Sequence, residues 1–269
     1  MISDEIEVHY IGTATALLEI GGLRLLTDPA FDPGDTSYEL PTYSLHKFSK
    51  PAVTVERLGP VDYVLLSHDH HLDNLDHAGM QLLTKVREVF TTPAGADRLN
   101  NQGSRPGDAP APKGIHATGL DNWATVEVPT KDGRILTITG TPCRHGPVGG
   151  DRGPVTGFVI NFKGEDKSGV YITGDTVWYE GVEEVGRRFD IGLILLFIGG
   201  ARLAAIGPAN ITMTVEESIK AARLFEHAEI VPLHFEGWEH FSQGRDEVIR
   251  QYTAAGLQNR LYWAPNYKA

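Results

Sequence analysis

The segment SHDHHLDNLD at residues 67–76 places three histidines and three aspartates in ten residues, directly after an apolar run. That run, residues 61–67 (VDYVLLS), is predicted to be a buried strand because it is short and apolar. In an extended chain, residues two apart point the same way, so His68 and His70 can direct two imidazoles at one point. Zinc accepts such nitrogens at about 2.0–2.1 Å. The segment therefore predicts part of a metal site, with Asp73 just beyond it, where the chain turns.

Two histidines cannot close a metal site, so other segments must supply further ligands. Three candidates each follow an apolar run that is predicted to be a strand: His145 in TPCRHGP, Asp175 in YITGDT and His234 in IVPLHFEGW. Functional side chains in open α/β sheets meet at one edge of the strands. The sequence therefore predicts that these three residues join the histidine cluster.

Composition and charge exclude several classes of protein. The chain of 269 residues is 41% hydrophobic and 22% charged, which is ordinary globular usage. Its formal net charge of -11 disfavours nucleic acid as a partner, because phosphate contacts need a basic surface. The single cysteine, Cys143, excludes an internal disulfide and is expected to be a small buried residue rather than a zinc ligand. The longest apolar run, residues 191–201, is too short to span a membrane and predicts a buried strand followed by a glycine turn.

The order of predicted elements favours a mixed sheet structure with outer helices. Gly21 and Gly22 separate two apolar runs as the turn of a hairpin, and Thr214 with Glu217 forms a capping box that opens a helix through residue 227. A last short strand is predicted at residues 260–264. No composition shift marks a boundary, so residues 1–269 are predicted to form one domain. No secretory signal is visible at the start of the sequence, so a cytoplasmic protein is expected.

Residues 29–62 are rich in proline, serine and aromatic side chains. Loops of this length are often functional covers or disordered. One hypothesis is that this stretch, with Tyr38, Tyr43 and Phe48, forms a mobile rim of the pocket. The alternative is a surface loop that packs its aromatic side chains against the rest of the protein.

Taken in order, these motifs resemble the metallo-β-lactamase superfamily. The resemblance runs from HYIGTATALLEIGGLRLLTDP through SHDHHLDNLD, TPCRHG and YITGDT to ITMTVEES and VPLHFEGW. It is greatest for the branch that contains ascorbate-6-phosphate lactonase and the phospholipase D that cleaves N-acyl phosphatidylethanolamine. It implies an α/β fold, the four-layer αββα sandwich, with a dinuclear metal centre at one edge.

The resemblance also implies roles for individual residues. His68, His70 and His145 would hold the first metal, Asp175 would bridge both metals, and Asp73 and His234 would hold the second. A hydroxide between the metals would be the nucleophile, which makes Asp73 and Asp175 the predicted catalytic residues. Two cations about 3.5–4 Å apart lower the pKa of a shared water and stabilise a developing oxyanion. Zinc is the first candidate, and manganese or iron also suits such ligands.

One position departs from the family pattern. The family reads His-x-His-x-Asp-His, whereas this chain has one inserted residue and ends the motif with Asn74. Either Asn74 offers a carbonyl oxygen as a weak ligand, or the insertion lets His71 turn toward the second metal. Because an amide oxygen is a poorer zinc ligand than an imidazole, the second metal is expected to be held more loosely. His240, in GWEHF, could contact a substrate, carry a proton or lie at the surface.

These features favour a metal-dependent hydrolase that uses a metal-bound, bridging hydroxide on a phosphodiester, a lactone or a related ester. A second hypothesis is a metal-binding protein without turnover, acting structurally or as a sensor. A third is a metal-dependent oxidoreductase, which would require iron. The expected partner is a small-molecule substrate, and no membrane span is expected. An anionic substrate and an oligomer are both compatible with the sequence.

Overall fold

The computed structural model of the protein describes residues 5–105, 108–165 and 167–269, and two six-stranded sheets dominate it. Residues 1–4, which begin the stretch where no secretory signal is expected, lie outside these ranges. The first sheet contains, in spatial order, β1 (Ile6–Gly12), β2 (Thr15–Ile20), β3 (Leu23–Thr27), β6 (Tyr63–Leu65), β7 (Glu88–Thr91) and β8 (Ala117–Gly119). The second contains β14 (Glu229–Leu233), β13 (Ile191–Phe197), β12 (Gly169–Ile172), β11 (Thr156–Phe162), β10 (Ile135–Pro142) and β9 (Thr125–Pro129). Strands β4 (Thr36–Glu39) and β5 (Ser44–Lys47) form a separate antiparallel pair, called the cover hairpin below.

Helices cover the outer face of each sheet. Three pack on the first sheet: α1 (Val55–Leu58), α2 (His77–Leu82) and α3 (Pro93–Asn100). Three pack on the second: α4 (Glu180–Arg188), α5 (Val215–Leu224) and α6 (Arg245–Ala254). Short 3₁₀ turns lie at Leu83–Lys85, Ala204–Ile206 and Gln258–Arg260. Within the described ranges, every helix is too short or too polar to cross a membrane.

Strand β13 shows how one apolar segment serves two cores. Leu193, Leu195 and Phe197 face the core between the two sheets, whereas Ile194 and Leu196 pack toward the helices of the second sheet. Side chains alternate between the faces of a strand, so a strand covered on both sides must be apolar throughout. The resulting order of layers is helices, sheet, sheet, helices, which confirms the predicted αββα sandwich.

Two local features predicted from the sequence are present in the structure: a hairpin turn and a helix cap. Gly21 and Gly22 both have positive φ, +56° and +75°, the conformation that a two-residue hairpin turn requires. The hydroxyl of Thr214 accepts a hydrogen bond from the Glu217 amide at 3.1 Å, and the Glu217 carboxylate accepts one from the Thr214 amide at 3.0 Å. This capping box opens α5 as predicted, although the helix ends at residue 224 rather than 227.

Three segments differ from the sequence-based expectations. Residues 260–264 do not form a strand, since only Leu261 makes a bridge, to Ile230, after the last 3₁₀ turn. Helix α3 was not predicted, although Thr92 caps it and Pro93 occupies its first turn. Residues 29–62 contain the cover hairpin rather than an irregular loop throughout.

Candidate metal centre

The predicted metal-binding residues meet at one edge of the sandwich. They follow strands β6, β10, β12 and β14, and their side chains are buried: His68, Asp73, His145, Asp175 and His234. Buried polar side chains require partners, so the positions of their nitrogen and oxygen atoms decide what the site can bind. These atoms fall into two groups, joined by Asp175.

The first donor group consists of His68, His71 and His145. Nδ1 of His71 lies 2.9 Å from Nε2 of His68 and 3.2 Å from Nε2 of His145. One ring nitrogen carries at most one hydrogen, so His71 cannot donate well to both neighbours. Three nitrogens that face one another without enough hydrogens are suited to a shared cation.

In two of these rings, the Nδ1 atom that does not face the group already has a hydrogen-bond partner. Nδ1 of His145 donates to the carbonyl oxygen of Ile211 at 2.7 Å, because a carbonyl can only accept. Nδ1 of His68 lies 2.9 Å from the Ser67 hydroxyl. Burial and the neighbouring histidines hold the pKa of His68 and of His71 well below the usual value, and burial lowers the pKa of His145. Neutral rings leave lone pairs free for metal binding.

His70, which the sequence placed in this group, lies beside it instead. Its Nε2 is 2.9 Å from the carbonyl oxygen of Arg152, and its ring centre is 4.4 Å from that of His71. The chain bends at residues 69 and 70 and then turns through 72–74. The rule that residues two apart share a direction applies only to extended chain, so His71 takes the place expected for His70.

The second donor group consists of Asp73, His234 and His240, all buried. Oδ2 of Asp73 lies 3.1 Å from Nε2 of His234 and 3.0 Å from Nε2 of His240. Burial disfavours the charged form of Asp73, but hydrogen bonds from the two histidines outweigh it and hold the pKa well below its usual value. The carboxylate is therefore available as an anionic ligand.

Asp175 lies between the two groups. Its Oδ1 is 3.0 Å from Nδ1 of His234, and its Oδ2 is 3.7 Å from Nε2 of His145 and 4.0 Å from Nε2 of His68. In the described part of the chain, neither oxygen has an aligned hydrogen-bond donor. Gly174 positions this residue: it has φ of +60°, and a Cβ there would lie 2.8 Å from the Thr156 carbonyl oxygen. Oδ1 thus faces the His234 ring, whereas Oδ2 lies 3.7 Å or more from the two histidine nitrogens beside it. An incompletely paired buried carboxylate is costly, and a cation would remove that cost.

The donor distances fit metal coordination. Ligand atoms bound at about 2.1 Å and 90–110° apart lie about 3.0–3.4 Å from one another. The four contacts within the two groups span 2.9 to 3.2 Å. Imidazole and carboxylate donors together suit zinc, manganese or iron.

His234 is held in a strained backbone conformation. Its φ is +54°, in the left-handed region that favours glycine. The amide of His234 donates to the carbonyl oxygen of Thr13 at 2.8 Å, which holds the backbone in place. Burial lowers the pKa of His234, but the facing carboxylates of Asp175 and Asp73 outweigh it and raise the pKa to about 10.

Three residues behind the first donor group form hydrogen bonds that orient it: Asp28, Ser67 and Asn74. The Asp28 carboxylate accepts from the amide of Ser67 at 2.6 Å and from its hydroxyl at 2.8 Å, and that hydroxyl contacts His68. Nδ2 of Asn74 donates to Asp28 at 3.2 Å. Burial raises the pKa of Asp28 to about 7, although the hydrogen bonds from Ser67 oppose this. Asn74 thus belongs to the residues that support His68 from behind, through Asp28 and Ser67.

The cover hairpin forms one wall of a cavity beside the site. The cavity measures about 210 Å³ and is lined by Ser37, Tyr38, Glu39, Leu40, His70, Leu72, His77, Arg105 and Asp108. Tyr38 and Leu45 pack with Leu72, which lies between His71 and Asp73 in the chain. The stretch 29–62 therefore lines a cavity that His70 also borders, while Tyr38 packs against Trp238 and Leu72 as the second interpretation has it; a mobile rim stays a prediction.

Three residues of the site were missed or left open by sequence reasoning. His71 was considered for the second metal but lies in the first donor group. His240 is buried at the second group, and its proximity in sequence to His234 was the available signal. Asp28 ends the stretch LLTD, but nothing in that stretch indicates a hydrogen bond to Ser67. Cys143 lies outside both groups and donates to the Thr173 carbonyl oxygen at 3.2 Å.

An αββα sandwich with histidine and aspartate donors at its strand ends defines a class of metal-binding proteins. The family model described as beta-lactamase superfamily domain matches residues 23–235. The chain belongs to this superfamily, which confirms the predicted superfamily. The specific resemblance to the lactonase and phospholipase D branch stays a prediction.

Relatives and solved structures agree with this assignment. The chain is 24% identical to a UPF0173 metal-dependent hydrolase of Nanoarchaeum equitans, over 76% of this chain and 83% of that protein. It is 25% identical to the isothiocyanate hydrolase from Delia radicum gut bacteria, with a TM-score of 0.77 and 95% of each chain covered. A possible metal-dependent hydrolase from Veillonella parvula, 20% identical, has a TM-score of 0.78 with 97% of each chain covered, which shows the shared fold.

Proposed function

We propose that this protein is a metal-dependent hydrolase whose active site holds two divalent cations. The observation that carries the proposal is the buried Asp175 carboxylate between two groups of metal-type donors. His68, His71 and His145 would hold one cation, Asp73 and His234 the other, and Asp175 would be shared. The names of the relatives support the same class of enzyme. Zinc is the first candidate, with manganese or iron compatible.

The residues of the chain prepare the site for this chemistry. Two bound cations would lower the pKa of a water molecule and stabilise negative charge on the attacked group. Asp73 and Asp175 are held ionised by the histidines that face them, against the effect of burial. Asp28 and Ser67 orient His68, and the Ile211 carbonyl fixes the tautomer of His145. The first donor group is therefore held ready before any cation binds.

A substrate that enters through the cavity beside the donor groups, which His70 and Leu72 line, would have to be small. The cavity's volume of about 210 Å³ is below the roughly 300–1,000 Å³ of typical ligand sites. Arg105 is buried and donates to the Asp108 carboxylate, so it is already neutralised. Negative charge on a substrate would therefore be met by the cations. A phosphodiester, lactone or related ester of small size is the proposed substrate class.

Hydrolysis of an isothiocyanate is the second candidate. The supporting observation is the similarity to an isothiocyanate hydrolase over 95% of each chain. The central carbon of an isothiocyanate is electrophilic, and such a molecule is small and largely apolar. The wall formed by Tyr38, Leu40 and Leu72 suits an apolar group.

Metal content and turnover, measured on the same preparation, test these proposals. We expect two equivalents of metal and turnover of bis(p-nitrophenyl) phosphate, γ-butyrolactone or phenethyl isothiocyanate. The Asp175→Asn variant and chelator-treated protein serve as controls and should lose turnover. Bound metal without turnover of any substrate would favour the non-catalytic hypothesis. Iron with substrate-dependent oxygen consumption would favour the oxidoreductase, and protein unable to bind metal would contradict all three.

A further inference from the structure

The segment that carries His240 is fixed to the rest of the protein from two sides. Trp238 bridges to Lys47 of the cover hairpin, and Phe241 bridges to Ala201, which follows β13. The amide of Arg202 donates to the His240 carbonyl oxygen at 2.9 Å. The backbone at residue 240 is therefore held in place independently of its side chain.

The His240 ring is directed inward by aromatic neighbours. Its centre lies 4.6 Å from that of Phe241 and 6.0 Å from that of Trp238, and the residue is 8% exposed. Its Nε2 is 3.0 Å from Oδ2 of Asp73, the same oxygen that Nε2 of His234 approaches at 3.1 Å. Three donor atoms, one from the segment after β6 and two from the segment after β14, thus converge.

The side-chain nitrogen of Asn74 is engaged away from the second donor group, whereas its buried Oδ1 has no hydrogen-bond partner among the described residues. The residue is fully buried, and its side-chain amide donates to Asp28 in the layer behind His68. Asn74 therefore takes part in orienting the first donor group, whereas the second group is built from Asp73, His234 and His240.

We infer that His240 is a ligand of the second metal site and supplies the imidazole that residue 74 lacks. This inference rests on the proposed function, because it assumes a cation at the second donor group. With Asp73, His234, His240 and a share of Asp175, that site has four protein side chains. The weaker binding of the second metal that Asn74 predicts is then no longer expected, because an imidazole replaces the amide oxygen as a ligand.

The test compares metal binding by His240 and Asn74 variants. Metal-free wild type, His240→Ala, His240→Gln and Asn74→Ala are titrated with Zn²⁺ by calorimetry, and bound metal is counted after desalting. His227→Ala is the matched histidine control, because His227 is exposed, belongs to neither donor group and precedes β14, whereas His234 follows that strand. Cobalt-loaded samples report the same sites through their visible absorption bands.

The wild type and His227→Ala should bind two equivalents. Both His240 variants should retain the first equivalent and bind the second at least about tenfold more weakly, with an altered cobalt spectrum for that equivalent. Asn74→Ala should retain the second equivalent. Circular dichroism checks the fold of each variant, and His240→Gln preserves a side chain that can donate to Asp73 if the alanine variant fails to fold.

Three results would overturn the inference. Unchanged affinity for both equivalents in the His240 variants would do so while leaving the proposed function intact. Loss of the second equivalent in Asn74→Ala alone would show that residue 74 is the ligand after all. A wild type that binds no metal would overturn the inference and the proposed function together.

Discussion

Nδ1 of His145 donates to the carbonyl oxygen of Ile211 at 2.7 Å, which leaves Nε2 with its lone pair directed at His71. The partner is a main-chain group that precedes α5, so the ring orientation is fixed by the fold rather than by a side chain that could rotate. A histidine whose outer nitrogen is held in this way is a prepared metal ligand.

Removing either terminal histidine of the first donor group should abolish one metal equivalent. We expect His68→Ala and His145→Ala each to lose the cation of the first donor group and to melt at a lower temperature, because metal that binds only the folded state adds stability. Metal analysis and thermal unfolding with and without Zn²⁺ measure both effects. Unchanged metal content in both variants would rule out the first site.

Alanine substitutions at the adjacent residues His70 and His71 should have different effects on metal content. His71→Ala removes a nitrogen that lies 2.9 Å from His68 and 3.2 Å from His145, and it should lose one equivalent. His70→Ala removes a contact to the Arg152 carbonyl oxygen and should retain both. Metal counting on the two variants decides between them, and the reverse pattern would restore the sequence-based ligand set.

Loading of the second site should release a proton. In the metal-free protein the pKa of His234 is raised to about 10, so the ring is protonated at pH 7.5 and must lose a proton to bind a cation. Affinity for the second equivalent should therefore rise with pH up to about 10. The first group, whose histidines have lowered pKa values, should release no proton at pH 7.5. Calorimetry in buffers of different ionisation enthalpy measures the difference, and equal proton release at both steps would contradict it.

Asp28, which supports His68 through Ser67, should raise the metal affinity of the first donor group. Asp28→Asn weakens the support of Ser67 and His68, and we expect about a 10- to 100-fold loss of metal affinity at the first site. Asp62→Asn is the control, because Asp62 precedes β6 whereas the metal-binding segment follows it. Zn²⁺ titration of both variants is the measurement. Equal effects of the two substitutions would show that Asp28 has no specific role.

The cover hairpin should depend on one buried ion pair. Nζ of Lys47 lies 3.0 Å from Oδ2 of Asp76, and the two side chains are 1% and 0% exposed. Lys47→Ala leaves a buried carboxylate unpaired and should lower the free energy of unfolding by about 3–5 kcal/mol.

A matched surface pair provides the comparison for this prediction. Nζ of Lys131 lies 2.9 Å from Oδ2 of Asp62, with the lysine side chain 51% exposed. Lys131→Ala should cost less than about 1 kcal/mol. Urea unfolding measures both variants, and similar losses of stability would show that burial does not govern the Lys47 pair.

The sequence by itself determined the strands, the outer helices and the edge at which the site lies. Apolar segments such as residues 191–197 and the glycine turn at residue 21 depend on local patterns, which the chain carries without help from distant contacts. The same holds for the positions of His145, Asp175 and His234 after strands, since strand ends are readable from composition.

Only the tertiary structure decided which side chains converge. The choice of His71 over His70 depends on a bend at residues 69 and 70 that no periodicity encodes. His240 reaches Asp73 across 167 positions of sequence, and Asp28 reaches Ser67 across 39. Contacts of this kind follow from how the sheets and connecting segments pack, because a side chain's direction in a turn is set by its neighbours in space rather than by its neighbours in the chain.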